Sequence, residues 1–450
     1  MTGEPIWEKW ALRILLGLFV IIEVNGIHNL AYIGQDYSLH VMCTEHLMRD
    51  PSQWFTFDFT NRPMPYWIGA ACHWFTHGRM AYDLASLIFV GLNALALYLL
   101  HDGTRRFISS PLLRVAAVTF VALLPSTLVT STVFAADAVA QLPFVFTVWC
   151  LLRCANARTV GASTSYAALA GATLCVGNLT KFTFLFLPAA VTAIAGLLWW
   201  WKRTTLRQAL IIIGLAAVVP MIASCWIYRA AQRDVAHEEP RHTFDWKGTG
   251  EMTWSSVLLV KSRDNRIFDA PGYWDPPANP GAGLPLLASN SYSYPALLHL
   301  AIFTDVLDYA NQGGTDNGTP RPELQKKFSR FAVRFGLLFS VSAFLAMAAF
   351  IGRTAFAIFR PSVAPSTGAV VWGIMALTWY APLVAVLPYL HNSYEWGYWL
   401  PRLILPALWG FALILFSTAE RVFAGRRNAA YVIAALVLFQ AVVGVRSIWY

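Results

Sequence analysis

Charged residues are scarce in this chain. Asp, Glu, Lys and Arg make up 13% of its 450 residues, while hydrophobic residues make up 57%. A soluble protein usually carries about 25% charged residues, so the composition excludes a single water-soluble globule. It also argues against a nucleic-acid partner. The basic residues behind the net charge of +9 stand at the ends of apolar runs and form no continuous block.

Signatures of metal and nucleotide chemistry are missing as well. The sequence has no C-x-x-C pair and no dense carboxylate cluster, so no metal site is predicted. It contains no G-x-x-x-x-G-K-[ST] loop and no convincing G-x-G-x-x-G after a strand, which argues against a nucleotide-driven pump. We therefore expect no cofactor.

The sequence is rich in apolar runs close to 20 residues long. A run of that length can cross a hydrocarbon core of roughly 30 Å, and it must be helical because the bilayer offers no water to its backbone. The pattern predicts an all-α integral membrane protein, a polytopic helical bundle of about 11 transmembrane helices. The predicted spans are 11-33, 80-101, 113-133, 138-153, 164-180, 184-201, 208-228, 331-352, 368-389, 401-419 and 429-446.

Basic residues divide unevenly between the two sides of these spans. With the N-terminus inside, the connections on one side carry fifteen basic residues and the short connections on the other carry six. Short cytoplasmic loops are enriched in Lys and Arg, so the chain is predicted to run N-in and C-out. A bacterial inner (plasma) membrane is the expected location.

Two long segments with few apolar runs then fall on the extracytoplasmic side. The first exterior loop, 34-79, belongs to an N-terminal transmembrane module, 1-228. The second loop, 229-330, precedes the C-terminal transmembrane helices, 331-450. Aromatic and charged residues alternate in the first loop, as is typical of amphipathic pieces lying at a membrane surface. A loop as long as the second is usually functional or disordered.

The six cysteines fall into two groups. Four lie in or at predicted spans, where a free thiol behaves as a small apolar residue. Cys43 and Cys72 both fall in the first exterior loop. An oxidising compartment can join them, and the sequence is compatible with either a disulfide or two free thiols.

Two carboxylates at the exterior ends of spans are candidates for chemistry, because a charge near hydrocarbon is costly to keep. Asp36 follows the first span, and if a helix begins there Asp36 and His40 share one face of it. Asp137 stands in the short exterior turn before the fourth span. Each also has a purely structural interpretation, as a helix N-cap for Asp36 and as a turn residue for Asp137.

Three cations, Arg62, Lys181 and Arg402, accompany these carboxylates on the exterior side. Lys181 and Arg402 stand where the topology rule disfavours basic residues, although a long lysine side chain can also snorkel. Cations stabilise a phosphate leaving group, and a carboxylate takes the proton of an acceptor hydroxyl or amine. The set predicts a site for an anionic lipid headgroup with a general base beside it.

These residues stand in motifs that resemble a known family. Asp36 is followed some 25 residues on by Thr60-Asn61-Arg62-Pro63-Met64-Pro65-Tyr66-Trp67. This pattern resembles the Asp and the N-x-P-P-x-x-Y-W stretch of the GT-C superfamily of glycosyltransferases. The chain is most similar to glycosyltransferase family 39, the protein mannosyltransferases, and to the related aminoarabinose transferase. The Asp turn before span four, the Lys turn before span six and the late Arg with two-proline spacing match the same pattern.

The resemblance implies an inverting transfer of a sugar from a polyprenyl-phosphate donor to a lipid, glycan or protein acceptor. It implies Asp36 as the general base and Asp137 as a second acidic residue of the catalytic centre. Phosphate contacts carry over to Lys181 and Arg402, with Arg62 as a further candidate. The sugar and the acceptor are left open by the sequence.

Three more residues are candidates for binding substrate. Tyr37 stands where many family members have a Glu after the Asp, and His40 follows one helical turn later. In the second exterior loop His299, with Tyr294 and Asp305 near it, can shape the acceptor site. Aromatic packing of that loop is the alternative role for these three.

Two other functions also fit a bundle with polar exterior residues. A secondary transporter or lipid flippase usually has internal repeats and broken helices near the midplane, which the sequence does not show. A scaffold subunit without activity would need neither Asp36 nor the misplaced cations. A membrane glycosyltransferase acting on the extracytoplasmic face is therefore the predicted function.

Overall fold

A computed structural model of the chain describes residues 5–30, 37–50, 62–235, 298–299, 302–303, 323–383 and 401–448. These residues are almost entirely helical, and none of the described segments forms a strand. The predicted all-α class is thus confirmed.

Fifteen α-helices make up the described part of the chain. In order, they are α1 Ile6–Leu30, α2 Tyr37–Arg49, α3 Met64–Thr76, α4 Ala81–Thr104, α5 Pro111–Ala122, α6 Pro125–Thr132, α7 Ala136–Ala155, α8 Val160–Asn178, α9 Leu187–Trp200, α10 Leu206–Ile213, α11 Val219–Val235, α12 Glu323–Phe359, α13 Thr367–Ala381, α14 Pro401–Val422 and α15 Arg427–Ile448. A 3₁₀ turn, Phe182–Phe186, precedes α9, and a π-helical turn, Gly214–Val218, joins α10 to α11.

Within the described residues, nine helices are long and apolar enough to cross a membrane, and the number rises to ten if one bent pair counts as a span. The bent pair is α5 and α6, which meet at 56°. Pro125 opens α6 and has no N–H to continue the hydrogen-bond ladder of α5. The predicted span 368-389 corresponds to the shorter apolar helix α13. The predicted count of eleven is therefore not confirmed, although the chain is a multi-pass membrane protein.

The connections between spans gather at two opposite ends of the bundle. At one end Ser109 and Ser110 bind Glu420, and Arg203 binds the backbone at Pro365. We call this the basic-rich end, since it unites the turns after α4, α9, α12 and α14 that the sequence predicts to be cytoplasmic. Polar caps begin helices here, with Ser110 on α5 and Thr205 in a capping box on α10.

The opposite end, which we call the basic-poor end, unites the turns 133–135 and 179–181 with α2 and α3. The backbone N–H of Met64 donates to the carbonyl of Leu179 across this end (3.0 Å). The predicted surface-lying loop is partly buried here, because Tyr66 is fully enclosed while Trp74 and Phe75 are exposed. Both Cys43 and Cys72 are free thiols.

Between the two ends, aromatic side chains fill the middle of the bundle. The ring of Trp379 on α13 stands edge-on to Phe144 of α7 and to Phe184 of the 3₁₀ turn. Edge-to-face pairs of this kind add to the packing that holds helices together in a membrane. The core thereby fixes the 3₁₀ turn against α7, next to the turn that carries Lys181.

Helical structure extends into both ends of the second predicted loop. Helix α11 continues to Val235 and α12 begins at Glu323, whereas the prediction set the loop at 229-330. Most of the residues between these two helices lie outside the described part of the chain. The division into modules 1-228, 229-330 and 331-450 remains a prediction.

Candidate active site at the basic-poor end

A buried ion pair joins two of the predicted site residues. The ammonium group of Lys181 contacts Oδ1 of Asp137, and the two residues are 4% and 8% exposed. They are 44 positions apart in the sequence. Removing two charges from water is costly, so a buried pair persists where the geometry is good or where function requires it.

Local structure explains how each partner reaches this position. Asp137 is the second residue of α7, where the helix dipole favours a negative charge. It therefore lies inside the helix and not in a turn before it. Lys181 follows α8 in an extended conformation, and its N–H donates to the carbonyl of Gly177 (2.9 Å). Gly177 is in the last turn of α8, and a Cβ there would stand 2.2 Å from the ring of Phe184. The close packing of Phe184 against the end of α8 therefore requires glycine.

Arg62 lies beside the same turn. It precedes Met64, whose N–H bonds to Leu179, two residues before Lys181. Arg62 is only 3% exposed. The structure thus brings Arg62, Asp137 and Lys181, which come from three separate parts of the chain, to one region of the basic-poor end.

Helix α2 is fixed to this region through His40. Its Nδ1 lies 2.8 Å from the hydroxyl of Tyr66 on α3, and both side chains are buried. The His40 ring also stands edge-on to Phe134, three residues before Asp137. Helix α2 begins at Tyr37, so the chain enters this helix directly after Asp36. Asp36 and the side chain of Tyr37 lie outside the described part of the structure.

Two predicted binding residues have different surroundings. His299 is buried against α12, where its Nδ1 lies 2.9 Å from the hydroxyl of Ser340 and its Nε2 2.9 Å from the carbonyl of Val333. Burial lowers the pKa of His299 to about 4. The neutral ring then donates from Nε2 to Val333, and Nδ1 accepts from Ser340. These contacts anchor its segment to α12.

Arg402 is the second residue of α14, and its side chain is not described.

Glu23 is a buried carboxyl that the sequence analysis did not single out. It is fully buried on α1, and neither of its oxygens has a hydrogen-bond partner in the described structure. Glu8 contacts His101 near the basic-rich end. Because α1 and α4 run antiparallel, Glu23 lies near the level of Ser86, whose buried hydroxyl also has no partner in the described structure. The sequence does contain a signal for Glu23, because an acidic residue inside an apolar run is unusual.

No protein-family model matches this sequence, and no curated protein is similar to it in sequence. Among solved structures, the chain is similar to the Saccharomyces cerevisiae protein O-mannosyltransferase Pmt1-Pmt2 complex bound to the sugar donor. The identity is 15% and the TM-score 0.40, over 52% of this chain and 34% of that chain. It is also similar to the apo oligosaccharyltransferase of Archaeoglobus fulgidus, at 11% identity and a TM-score of 0.46, over 99% of this chain and 57% of that one.

A third similar structure is ArnT from Cupriavidus metallidurans bound to undecaprenyl phosphate, at 14% identity and a TM-score of 0.38, over 92% of this chain and 80% of that one. The chain thus spans about a third of the mannosyltransferase chain and little more than half of the oligosaccharyltransferase chain. All three TM-scores lie below 0.5, so these similarities carry no argument about the function of this chain.

Proposed function

We propose that this protein is a membrane glycosyltransferase that moves a sugar from a polyprenyl-phosphate donor to a lipid, glycan or protein acceptor. The observation that carries the proposal is the buried contact between Lys181 and Asp137, with Arg62 beside the same turn. Buried ionisable groups at a membrane interface mark sites of binding or chemistry. In this proposal the basic-poor end faces the extracytoplasmic side, as the positive-inside rule favours, and the membrane is a bacterial inner membrane.

Lys181 and Arg62 supply positive charge for the donor phosphate. Asp137 holds the Lys181 ammonium in a fixed position, so the cation does not reorganise when charge develops on the leaving phosphate. Arg402, which opens α14, is the third phosphate contact in this proposal. The planar fork of an arginine suits two oxygens of one phosphate.

Asp36 is the general base. Its carboxylate takes the proton of the acceptor hydroxyl or amine as the acceptor attacks the anomeric carbon of the sugar. The bond from that carbon to the phosphate oxygen breaks, and polyprenyl phosphate leaves with the electron pair. Attack opposite the leaving group inverts the anomeric configuration. Tyr37, His40 and His299 complete the proposed contacts to the substrates.

The direct test compares Asp36→Asn with the matched control Asp50→Asn, which alters a carboxylate at the other end of α2. Membranes containing each full-length variant are incubated with radiolabelled polyprenyl-phosphate hexoses and pentoses. Label entering the acceptor fraction and release of polyprenyl phosphate are both measured. We expect Asp36→Asn to lower transfer by at least about 100-fold and Asp50→Asn to leave it unchanged.

Transfer at the wild-type rate in Asp36→Asn would overturn the assignment of the base. A wild-type protein that moves the lipid-linked sugar between leaflets without releasing polyprenyl phosphate would be a flippase and not a transferase. Arg62→Gln and Lys181→Gln should weaken donor binding. Unchanged donor affinity in both variants would contradict the phosphate contacts.

A further inference from the structure

Three arginines from different connections converge at the basic-rich end. The guanidinium of Arg203 donates to the carbonyls of Ala364 and Pro365, and Nε of Arg353 donates to the carbonyl of Val363. Arg421 donates to the hydroxyl of Ser366 (3.3 Å). One four-residue segment, 363–366, therefore binds all three cations.

None of these arginines is within ion-pair distance of a carboxylate in the described structure. The nearest acidic residue along the chain, Glu420, accepts instead from the backbone N–H groups of Ser109 and Ser110 (3.0 and 2.6 Å). Glu420 attracts Arg421 through space, but this one carboxylate faces three arginines. The cluster therefore keeps an excess of positive charge for an anion from outside the chain.

The pKa of Arg203 also indicates an excess of positive charge in the cluster. Burial lowers its pKa, and the charge of Arg353 lowers it further. Two like charges close enough to act on each other repel, and the repulsion is larger where water is partly excluded. A bound anion would relieve it.

A cavity of about 200 Å³ opens between α12, α13 and α14 beside this cluster. Its polar wall carries Arg353, Arg421 and Ser417. The Ser417 side chain is 2% exposed, and its buried hydroxyl has no hydrogen-bond partner in the described structure. Buried hydroxyls nearly always have a partner, so this group is a second indication that the cavity receives a polar ligand.

The other wall of the cavity is apolar. Phe350 and Ile414 line it, and each lies three residues, or about 4.5 Å along its helix, closer to the middle of the bilayer than Arg353 and Ser417 respectively. The cavity thus has cations toward the aqueous side and apolar side chains toward the membrane interior. A phospholipid has the same arrangement, because its phosphate lies nearer to water than its acyl chains. Basic pockets between transmembrane helices on the cytoplasmic side are typical binding places for anionic headgroups.

We propose that this cavity binds the phosphate group of an anionic phospholipid of the cytoplasmic leaflet. Arg353 and Arg421 grip the phosphate oxygens, Ser417 donates its hydroxyl, and Arg203 adds charge from the far side of the 363–366 segment. Phe350 and Ile414 close the apolar side of the cavity, and the acyl chains leave it past Ala349, an exposed residue on its rim. The site stands at the opposite end of the bundle from Asp137 and Lys181, and it does not depend on the transferase assignment.

The test uses full-length protein in nanodiscs of phosphatidylcholine with spin-labelled phosphatidylglycerol or spin-labelled phosphatidylcholine as the probe. The immobilised fraction of each probe gives its relative affinity for the protein surface. Wild type should retain phosphatidylglycerol preferentially, and Arg353→Gln/Arg421→Gln should lose roughly thirtyfold of that affinity. Arg158→Gln/Arg207→Gln is the matched control, because it removes two exposed charges from the same end and should change the preference little.

Two further measurements distinguish a lipid phosphate from free phosphate and separate lost binding from a folding defect. Ser417→Ala removes no charge and should still weaken phosphatidylglycerol binding, by about fivefold. Inorganic phosphate added to delipidated protein in detergent should compete poorly with the lipid. Equal retention of both lipid probes by wild type, an equal loss in the Arg158→Gln/Arg207→Gln control, or tight binding of inorganic phosphate alone would each overturn the proposal.

Discussion

The Asp137–Lys181 pair and the three-arginine cluster handle positive charge in opposite ways. At the basic-poor end, Lys181 is buried and meets a carboxylate from another helix. At the basic-rich end, Arg203, Arg353 and Arg421 are more exposed. Arg203 and Arg353 donate to backbone carbonyls of one short segment, and Arg421 donates to the hydroxyl of Ser366 in the same segment. A buried charge without a counter-charge costs several kcal/mol, whereas a partly hydrated arginine tolerates neutral acceptors. Burial, and not the number of charges, separates the two regions.

This contrast also holds within the basic-rich end. Arg114 is buried there and binds both oxygens of Glu8 (2.7 Å each), which also contacts His101. The arginine with little exposure again has a carboxylate, whereas the three more exposed arginines of the cluster form no ion pair in the described structure. Glu23 is the exception, because it is fully buried and has no partner in the described structure.

The largest effect is expected from breaking the buried pair. Lys181→Met leaves Asp137 in a buried site without its counter-charge, so the free energy of unfolding should fall by about 3–5 kcal/mol. Denaturant titration in mixed micelles measures it. The double variant Asp137→Asn/Lys181→Met removes both charges and should recover most of the loss. A single variant as stable as wild type would show that the pair does not stabilise this end.

Lowering the pH should reduce stability through His299, which is buried against α12. The pKa of His299 in the folded protein, about 4, lies below the usual 6.5 of an unfolded chain. The unfolded state therefore binds the proton more readily. The stability that His299 contributes is complete above pH 6.5, declines as the pH falls toward 4, and should drop by about 3 kcal/mol in all.

Hydrogen exchange of the segment around His299 between pH 7 and pH 4 measures this local release. His299→Gln should remove the pH dependence, while His77→Gln, at an exposed position, should retain it. Equal protection of the segment at both pH values in wild type would contradict a buried neutral histidine.

A smaller effect is expected from the hydrogen bond between α2 and α3. Tyr66→Phe removes the hydroxyl that contacts His40 and should lower the free energy of unfolding by about 1 kcal/mol. Tyr98→Phe, at a half-exposed position on α4, is the control and should have almost no effect. If the two variants behave alike, the His40 contact does not secure α2 against the candidate site.

The smallest effect on stability is expected at the arginine cluster. Arg421→Gln removes an exposed cation that has no carboxylate partner in the described structure, so stability should change by less than about 0.5 kcal/mol. Arg114→Gln at the same end leaves Glu8 buried without its main partner and should cost about 3 kcal/mol or more. A large loss of stability in Arg421→Gln would contradict the view that exposed arginines contribute less to stability than buried, ion-paired ones.

Several features of this architecture could be predicted from the sequence because they are local. Apolar length gave the helical spans, and the unusual position of Lys181 on the side poor in basic residues drew attention to it. The number of spans was less certain, since Pro125 bends the predicted span 113-133 and α13 is shorter than its apolar run. Hydrophobicity alone does not register such breaks.

Pairing could not be predicted in the same way. Asp137 and Lys181 were each identified, but their direct contact depends on how α7 packs against α8. Arg203, Arg353 and Arg421 looked like separate topology signals, and only the tertiary fold brings them to one segment. Glu23 lies in the interior of a span, so a search for charges at the exterior ends of spans does not select it.

The central claim is that a polyprenyl phosphate binds at the basic-poor end, beside Lys181. Photo-crosslinking with a polyprenyl phosphate that carries a diazirine in its first isoprene unit, followed by peptide mapping, tests this directly on the wild-type protein in membranes. The account predicts labelled residues within 62–66 and 178–184. Labelling confined to the cavity around Arg353 and Arg421 would contradict it, because the lipid phosphate would then belong to the opposite end of the bundle.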